Sequence, residues 1–344
     1  MRILINTPNL KALGGVANHY YGLKNYWTEN VQYNSVLSHK FKRLLLPITV
    51  IVFVYKILFF NPDMVLLNPS LGVNALKRDF FFLKLAKFFH KKVTVFIHGF
   101  SWDYAKTADW KWIAKNLNNA DCIIVLAKAF QEELQRRGIT TPIELSTTKV
   151  MDSLVDGFDI NTRRGNADNI LVLSRIETAK GIYEALDTFI LLKPQYPELK
   201  LTYVGDGSEL EPLKQKVNSL GISDVRFTGA LSGEPLKQEF KNADIFFFTS
   251  HGEGMPTVVL EAMAYGLPVL TRYVGGLCDF FEDGKMGAIT DSMSPKVFAD
   301  MLETFLSNPN LTLEVSLYNY QYAKSHFMAS TVAKQIESVL IKYV

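Results

Sequence analysis

The sequence is poor in the features that would declare its chemistry outright. Only two of its 344 residues are cysteine, Cys122 and Cys278, too far apart for a metal-ligand spacing or a disulfide framework. It contains no D-x-D triplet, no H-E-x-x-H and no paired C-x-x-C, so no essential divalent metal is indicated and no cofactor is called for. The glycines near the N-terminus do not form the G-x-G-x-x-G dinucleotide fingerprint, and the rest of a dehydrogenase site is missing. Internal repeats and low-complexity segments are absent. With no zinc-finger, helix-turn-helix or RNA-binding signature, nucleic acid is not an expected partner. The start, Met1-Arg2-Ile3-Leu4-Ile5-Asn6, reads as a strand and lacks the apolar region and cleavage site of a signal peptide. A cytoplasmic location is the expectation.

What is present is an ordinary globular composition, 48% hydrophobic and 21% charged, in a chain long enough for two cores. The net charge of +3 hides an asymmetry: residues 1–150 hold 20 Lys+Arg against 9 Asp+Glu, the remainder 17 against 25. A basic first half, about +11, suits an anionic lipid surface or a phosphorylated substrate.

Short apolar runs alternate with longer helical stretches, the pattern of βαβ units around parallel, doubly covered strands. The expected strands of a first Rossmann-like half are Arg2–Thr7, Ser35–Ser38, Asp63–Leu67, Val93–His98, Cys122–Leu126 and one near Ile143. Those of a second half are Asn169–Ser174, Lys200–Val204, Val225–Thr228, Ile245–Thr249, Pro268–Leu270 and Gly287–Ile289. The polar stretch Asp156 to Asp168 reads as an interdomain linker, dividing the chain into 1–160 and 161–327. The run Leu44 to Phe60 has three readings. It is apolar enough for a short membrane span, although Pro47 and Lys56 interrupt it. It also suits a helix packed on the sheet, or one that leans on a membrane surface together with the Phe- and Lys-rich segment Phe80 to Lys92.

The segment His251 to Pro268 carries the strongest chemical signal. A glycine-rich loop follows a strand, Pro256 suits a first helical position, and Gly266 with Pro268 stops a short helix from about Thr257 to Tyr265. Backbone N–H groups of Thr257 and Val258, beside Met255, would face the crevice, where the helix dipole favours a diphosphate. Glu253 in the loop and Glu261 in the helix supply two carboxylates, good acceptors for vicinal sugar hydroxyls. Arg175 and Lys180 follow another strand, and their cations suit a departing diphosphate. In the first half, Gly14-Gly15 opens the first βα turn, where backbone can approach a phosphate or sugar closely, and His98 ends a strand on the opposite wall. Bland readings exist for each: a simple turn, a solvated loop, a buried histidine. Asp206, between Gly205 and Gly207, reads as structural.

These residues resemble the retaining glycosyltransferases of family 4, which have the α/β GT-B fold, two Rossmann-like domains facing a central cleft. The E-x7-E element matches at Glu253 and Glu261, the Arg-x4-Lys-Gly element at Arg175, Lys180 and Gly181, and the Gly-Gly loop at Gly14 and Gly15. Supporting matches are His98, Gly205-Asp206-Gly207, Phe227-Thr228-Gly229, Asn242-Ala243-Asp244 and Val274-Gly275-Gly276. The resemblance implies a donor domain in the second half and an acceptor domain in the first, with the C-terminal helix, 328–344, crossing back onto the first. It implies that Arg175 and Lys180 hold the diphosphate, Glu261 the ribose and Glu253 the sugar hydroxyls, with His98 beside the reacting sugar and Gly15 near phosphate or sugar. The implied reaction moves a hexose or N-acetylhexosamine from a nucleotide sugar, UDP-linked by preference, to a hydroxyl of a cell-surface polysaccharide or lipid-linked saccharide. That is work of capsule or lipopolysaccharide biosynthesis, peripheral on the inner face of the cytoplasmic membrane. Where the family carries a small residue or proline and then Glu, this chain has Leu277-Cys278-Asp279, so a role for Asp279 does not carry over. A nucleotide-sugar epimerase, a non-catalytic nucleotide-sugar-binding subunit and an integral membrane protein are the alternatives.

Overall fold

The computed structural model describes residues 1–12, 14–36, 42–165 and 167–344, and of residues 42–46 the backbone alone. The chain falls into two compact units, Met1–Lys149 with Ala329–Val344, and Val150–Met328.

In the first unit the order is β1 (Arg2–Pro8), α1 (Gly15–Leu23), β2 (Asn30–Val36), α2 (Lys42–Phe59), β3 (Met64–Leu67), β4 (Ser70–Leu71) and α3 (Val73–Phe88). There follow β5 (Lys92–Ile97), β6 (Gly99–Phe100), α4 (Trp102–Thr107), α5 (Trp110–Leu117), β7 (Cys122–Val125), α6 (Lys128–Arg136) and β8 (Ile143–Leu145). Six strands make one parallel sheet in the order β2-β1-β3-β5-β7-β8, while β4 and β6 pair by themselves. The expected strand Ser35–Ser38 proves to be the end of a longer one, and its last two positions lie outside the described residues.

In the second unit the order is β9 (Asn169–Leu173), α7 (Ile182–Leu192), β10 (Lys200–Val204), α8 (Leu210–Ser219), β11 (Val225–Phe227), α9 (Gly233–Asn242) and β12 (Ile245–Phe248). Then come α10 (Thr257–Ala264), β13 (Val269–Arg272), β14 (Gly287–Thr290), α11 (Pro295–Leu306) and α12 (Pro309–His326). Its sheet runs β11-β10-β9-β12-β13-β14, all parallel. This is the Rossmann order, and its direction of travel reverses between β9 and β12, the place where such sheets hold ligands. The unbroken apolar run Ile245-Phe246-Phe247-Phe248 shows why the sheet is covered twice. Ile245 and Phe247 pack with Leu186, Phe189 and Phe298 on one face, Phe246 and Phe248 with Phe240, Leu260 and Met263 on the other. Full burial of each such side chain contributes about 1.5–3 kcal/mol.

The last helix, α13 (Ala329–Lys342), belongs to the first unit. It buries Val332, Ala333, Ile336 and Leu340, and its Glu337 accepts hydrogen bonds from the Thr28 and Glu29 amides, each at 2.8 Å, and from the Thr28 hydroxyl at 2.7 Å. A buried carboxylate with three donors is well satisfied, so it fixes the helix on the loop between α1 and β2.

The stretch Asp156 to Asp168 is not a linker. The units divide between Lys149 and Val150, ahead of the boundary expected after residue 160. Arg163 explains why: its guanidinium donates to the carbonyls of Phe240, Lys241 and Ala243 at the end of α9 and to that of Tyr265 at the end of α10. One cation thereby satisfies the orphan carbonyls of two helix C-termini and complements both dipoles. Burial lowers its pKa to about 10.

Candidate functional site

The reversal between β9 and β12 brings the two strongest motifs of the second unit together. After β9 the chain turns through Arg175 and a short 3-10 turn, Thr178–Lys180, to Gly181, whose φ of +70° and proximity to Thr249 exclude any side chain. A Cβ there would stand 2.2 Å from the Thr249 carbonyl oxygen. After β12 the loop returns along this turn, with the His251 amide donating to the Ala179 carbonyl at 3.0 Å. Lys180 Nζ consequently donates to Glu253 Oε1 at 2.6 Å, and Ser250 Oγ donates to the same oxygen at 2.7 Å. Both members of the ion pair are mostly buried, with side-chain exposures of 16% and 18%. Among the described residues Oε2 of Glu253 has no hydrogen-bond partner, so the carboxylate keeps one oxygen with which to accept from a ligand hydroxyl. A cation and a carboxylate 2.6 Å apart suit a ligand in which phosphate oxygens and hydroxyls are neighbours.

The loop bearing Glu253 is held from a third side. Gly275 has φ +52°, and a Cβ on it would lie 2.0 Å from the Gly254 carbonyl oxygen, which also accepts from the Gly276 amide at 2.8 Å. Glu261 is half-buried on α10, among Val259, Leu260, Ala262 and Met263 of the core. Pro256 is the N-cap of that helix rather than its first residue; Thr257 takes that place, while Met255 and Val258 pack against the core. Arg175 stands apart from the ion pair at the exposed rim, its guanidinium bonded to Glu177 at 2.7 Å. Gly205 is required by packing, because at its φ of +144° a Cβ would come within 1.8 Å of the Ser174 carbonyl oxygen. A separate pocket of about 260 Å³ opens at the opposite, amino-terminal end of this sheet, beside Asn169, Lys200, Asp224, Arg226 and the Asn242-Ala243 of a supporting match, and none of the candidate site residues lines it.

In the first unit, Gly14 caps α1 with φ +143°, and Cβ atoms on Gly14 or Gly15 would meet nothing within 4 Å. The two line a pocket of about 500 Å³ with Leu10, Lys11, Asn18 and Tyr21. His98 follows β5 and stacks on Phe96 with ring centroids 3.9 Å apart. Its Nε2 lies 3.0 Å from Oδ1 of Asn68, and burial pushes its pKa down to about 3, so the ring is neutral at physiological pH. His19 of α1 lies edge-on to it at 5.0 Å, buried, with neither ring nitrogen hydrogen-bonded among the described residues. Burial first, then His98 and Lys149, hold His19 well below the ordinary histidine range.

Three participants are not marked by any sequence motif. Ser250 stands three positions before Glu253 at a strand end, a place where a hydroxyl can reach the carboxylate. Asn68 is a polar residue closing the apolar run of β3, and Tyr20 is an interior aromatic whose hydroxyl reaches Asn68. The last two could have been suspected only from their polarity at a buried position.

The sheets and the switch-point site define the class first: an α/β protein of two Rossmann-like units with the GT-B fold. The structure is similar to that of HepE from Anabaena in complex with UDP, at a TM-score of 0.79 and 19% identity over 99% of this chain and 100% of that one. The family resemblance comes from the second unit, where residues 158–323 match glycosyl transferases group 1. Among curated relatives, a sulfoquinovosyl transferase of Arabidopsis thaliana is 28% identical over 211 residues, 58% of this chain and 40% of that protein. A D-inositol 3-phosphate glycosyltransferase of Corynebacterium urealyticum is 30% identical over 173 residues, 48% of this chain and 41% of that protein. The chain is thus matched over about two fifths of the length of each.

Proposed function

We propose that the protein is a retaining, metal-independent glycosyltransferase that moves a hexose or N-acetylhexosamine from a UDP-sugar to a hydroxyl of a cell-surface polysaccharide or lipid-linked saccharide. The observation that carries this is the Lys180–Glu253 pair at the strand reversal of the unit that matches glycosyl transferases group 1. In this reading Lys180 and Arg175 neutralise charge on the departing diphosphate, Glu253 accepts from sugar hydroxyls, and Glu261 takes the ribose. The N-terminus of α10, with Met255, Pro256, Thr257 and Val258, lies against the diphosphate, and Gly205 keeps the β10 end close-packed beside it. In the first unit His98 and the Gly14-Gly15 turn serve the sugar. The bond from the anomeric carbon to the phosphate oxygen breaks as the acceptor oxygen bonds on the same face, and the acceptor proton passes to the leaving phosphate.

The test is transfer or donor hydrolysis by the full chain. Activity should persist in EDTA, Glu253→Ala should lose about 10²–10³-fold in kcat, and Lys180→Ala should be severely impaired. Normal turnover in both variants overturns the site. Folded-state binding raises thermal stability, so UDP-, GDP- and ADP-sugars compared in one melting series assign the base. A shift with a GDP-sugar alone replaces the UDP reading, for which the UDP bound to HepE is the precedent.

A second reading adds an anionic membrane surface. Its support is α2: Ile48, Ile51, Val52, Tyr55, Leu58 and Phe59 are exposed along one helical stripe, while Thr49, Phe53 and Ile57 are buried. Among the described residues no helix is long and apolar enough to cross a membrane.

A further inference from the structure

We propose that Asn68 is a positioning residue that holds the His98 imidazole in its Nε2–H tautomer, so that Nδ1 is presented as a hydrogen-bond acceptor to a hydroxyl of the transferred sugar. The sugar as occupant rests on the function proposed above. The tautomer rests on hydrogen-bond accounting alone.

The accounting begins at the Asn68 amide. Its Nδ2 donates to the carbonyl oxygens of Asn6 at 3.0 Å and Leu66 at 3.2 Å. Both partners can only accept, so they determine which end of the amide is nitrogen. The opposite end is therefore the carbonyl oxygen. Oδ1 accepts from the Tyr20 hydroxyl at 2.5 Å and faces His98 Nε2 at 3.0 Å. An amide oxygen carries no proton, so the hydrogen between it and Nε2 must belong to the histidine. A neutral imidazole has one N–H, and with that proton on Nε2 the other nitrogen, Nδ1, is left with its lone pair. Burial keeps the ring neutral.

The ring has little freedom to escape this arrangement. Its face stacks on Phe96, and His19 and Tyr20 stand edge-on at 5.0 and 5.7 Å. The His98 amide donates to the Pro69 carbonyl at 3.1 Å, and directly beyond it Gly99–Phe100 pairs with Ser70–Leu71. Gly99 permits that approach, since a Cβ would lie 3.0 Å from Ser70 Oγ. The segment that carries Asn68 is thus clamped to the segment that carries His98. Orientation and protonation of the imidazole are set by the same short stretch after β3.

The experiment is ¹⁵N spectroscopy of histidine-labelled full chain, paired with kinetics. In the wild type the His98 resonances should show a protonated Nε2 and a bare Nδ1 between pH 6 and 8; a protonated Nδ1 overturns the proposal. Tyr20→Phe should leave the tautomer unchanged, because Asn68 still offers its oxygen. Asn68→Leu should mix the two tautomers and lower kcat about 10–100-fold with little change in the donor KM. Combined with His98→Ala, it should cost almost nothing more, as expected when two residues act through one another. Additive losses, or full kcat with a mixed tautomer, overturn the positioning role and leave glycosyl transfer standing. Absence of any transfer in the wild type sinks the proposed function, while the spectrum still decides the tautomer, even where Asn68→Leu does not fold.

Discussion

One oxygen atom, Oε1 of Glu253, gathers the candidate donor site: it accepts from Lys180 and from Ser250, and the loop behind it is held by Gly275. The carboxylates and cations were legible from residue type and spacing, since few structural needs place two glutamates and two cations after strand ends. Their unequal surroundings were not legible. Lys180 is mostly buried against Glu253, whereas Arg175 lies at the rim with Glu177. The clamp on Gly254 yields a prediction at this scale. Gly275→Ala places a methyl group in collision with a carbonyl oxygen at positive φ, a strain of about 1–3 kcal/mol that moves the Glu253 loop. Donor affinity should fall about tenfold or more while the chain stays folded, as read by titration beside a thermal melt. Unchanged donor affinity would free Gly275 of any part in aligning Glu253.

At the scale of the element, α2 bears out the packed-helix reading of Leu44 to Phe60 and leaves contact with a membrane surface as a proposal beside it. It is a helix packed beside α3, where the Phe53 ring lies 4.8 Å from that of Phe82, and against β2, whose Tyr33 carbonyl accepts from Lys56. Its outer stripe stays apolar, and α3 exposes Phe81, Lys84 and Phe88. The lysines of the Phe- and Lys-rich segment are less available than their number suggests, because Lys87 and Lys92 both pair with Asp121 and Lys91 bonds Asn61. Docking on a bilayer should therefore depend on apolar insertion more than on those cations. In vesicle sedimentation with anionic lipid, Ile51→Glu with Phe59→Glu should abolish binding, and charge reversal at Lys87 should change it little. The opposite ranking would make the surface purely electrostatic. Lys40 lies outside the described residues, as do the side chains of Lys42 and Arg43.

For the whole molecule, the two units can be followed separately, because all four tryptophans, Trp27, Trp102, Trp110 and Trp112, lie in the first. Its buried His19 makes that unit acid-sensitive. The unfolded histidine takes up a proton below about pH 6.5, and the folded one, held well below that value, does not. Stability is therefore complete above pH 6.5 and declines as pH falls, by up to about 1.4 kcal/mol per unit from this residue. His98 acts in the same direction. Urea unfolding followed by tryptophan fluorescence should show a clear loss between pH 7 and pH 5, and His19→Leu should remove part of it. A pH-independent midpoint would mean that His19 is already protonated in the folded chain.

The sequence by itself determined the parallel α/β architecture, strand by strand to within a residue or two in most cases, because runs such as Ile245–Phe248 have no other way to be buried on both sides. Gly181 and Gly275 were marked there only as members of motifs; that φ of +70° and +52° leaves no room for a side chain at either is a result of the structure. Tertiary structure decided the partners. It made Arg163 a cap for two helices instead of a linker residue, set Ser250 against Glu253, and enclosed His98 with Asn68 and Tyr20. Periodicity records which face of an element is buried; which polar atoms meet there depends on strand order and on loops separated by tens of residues along the chain.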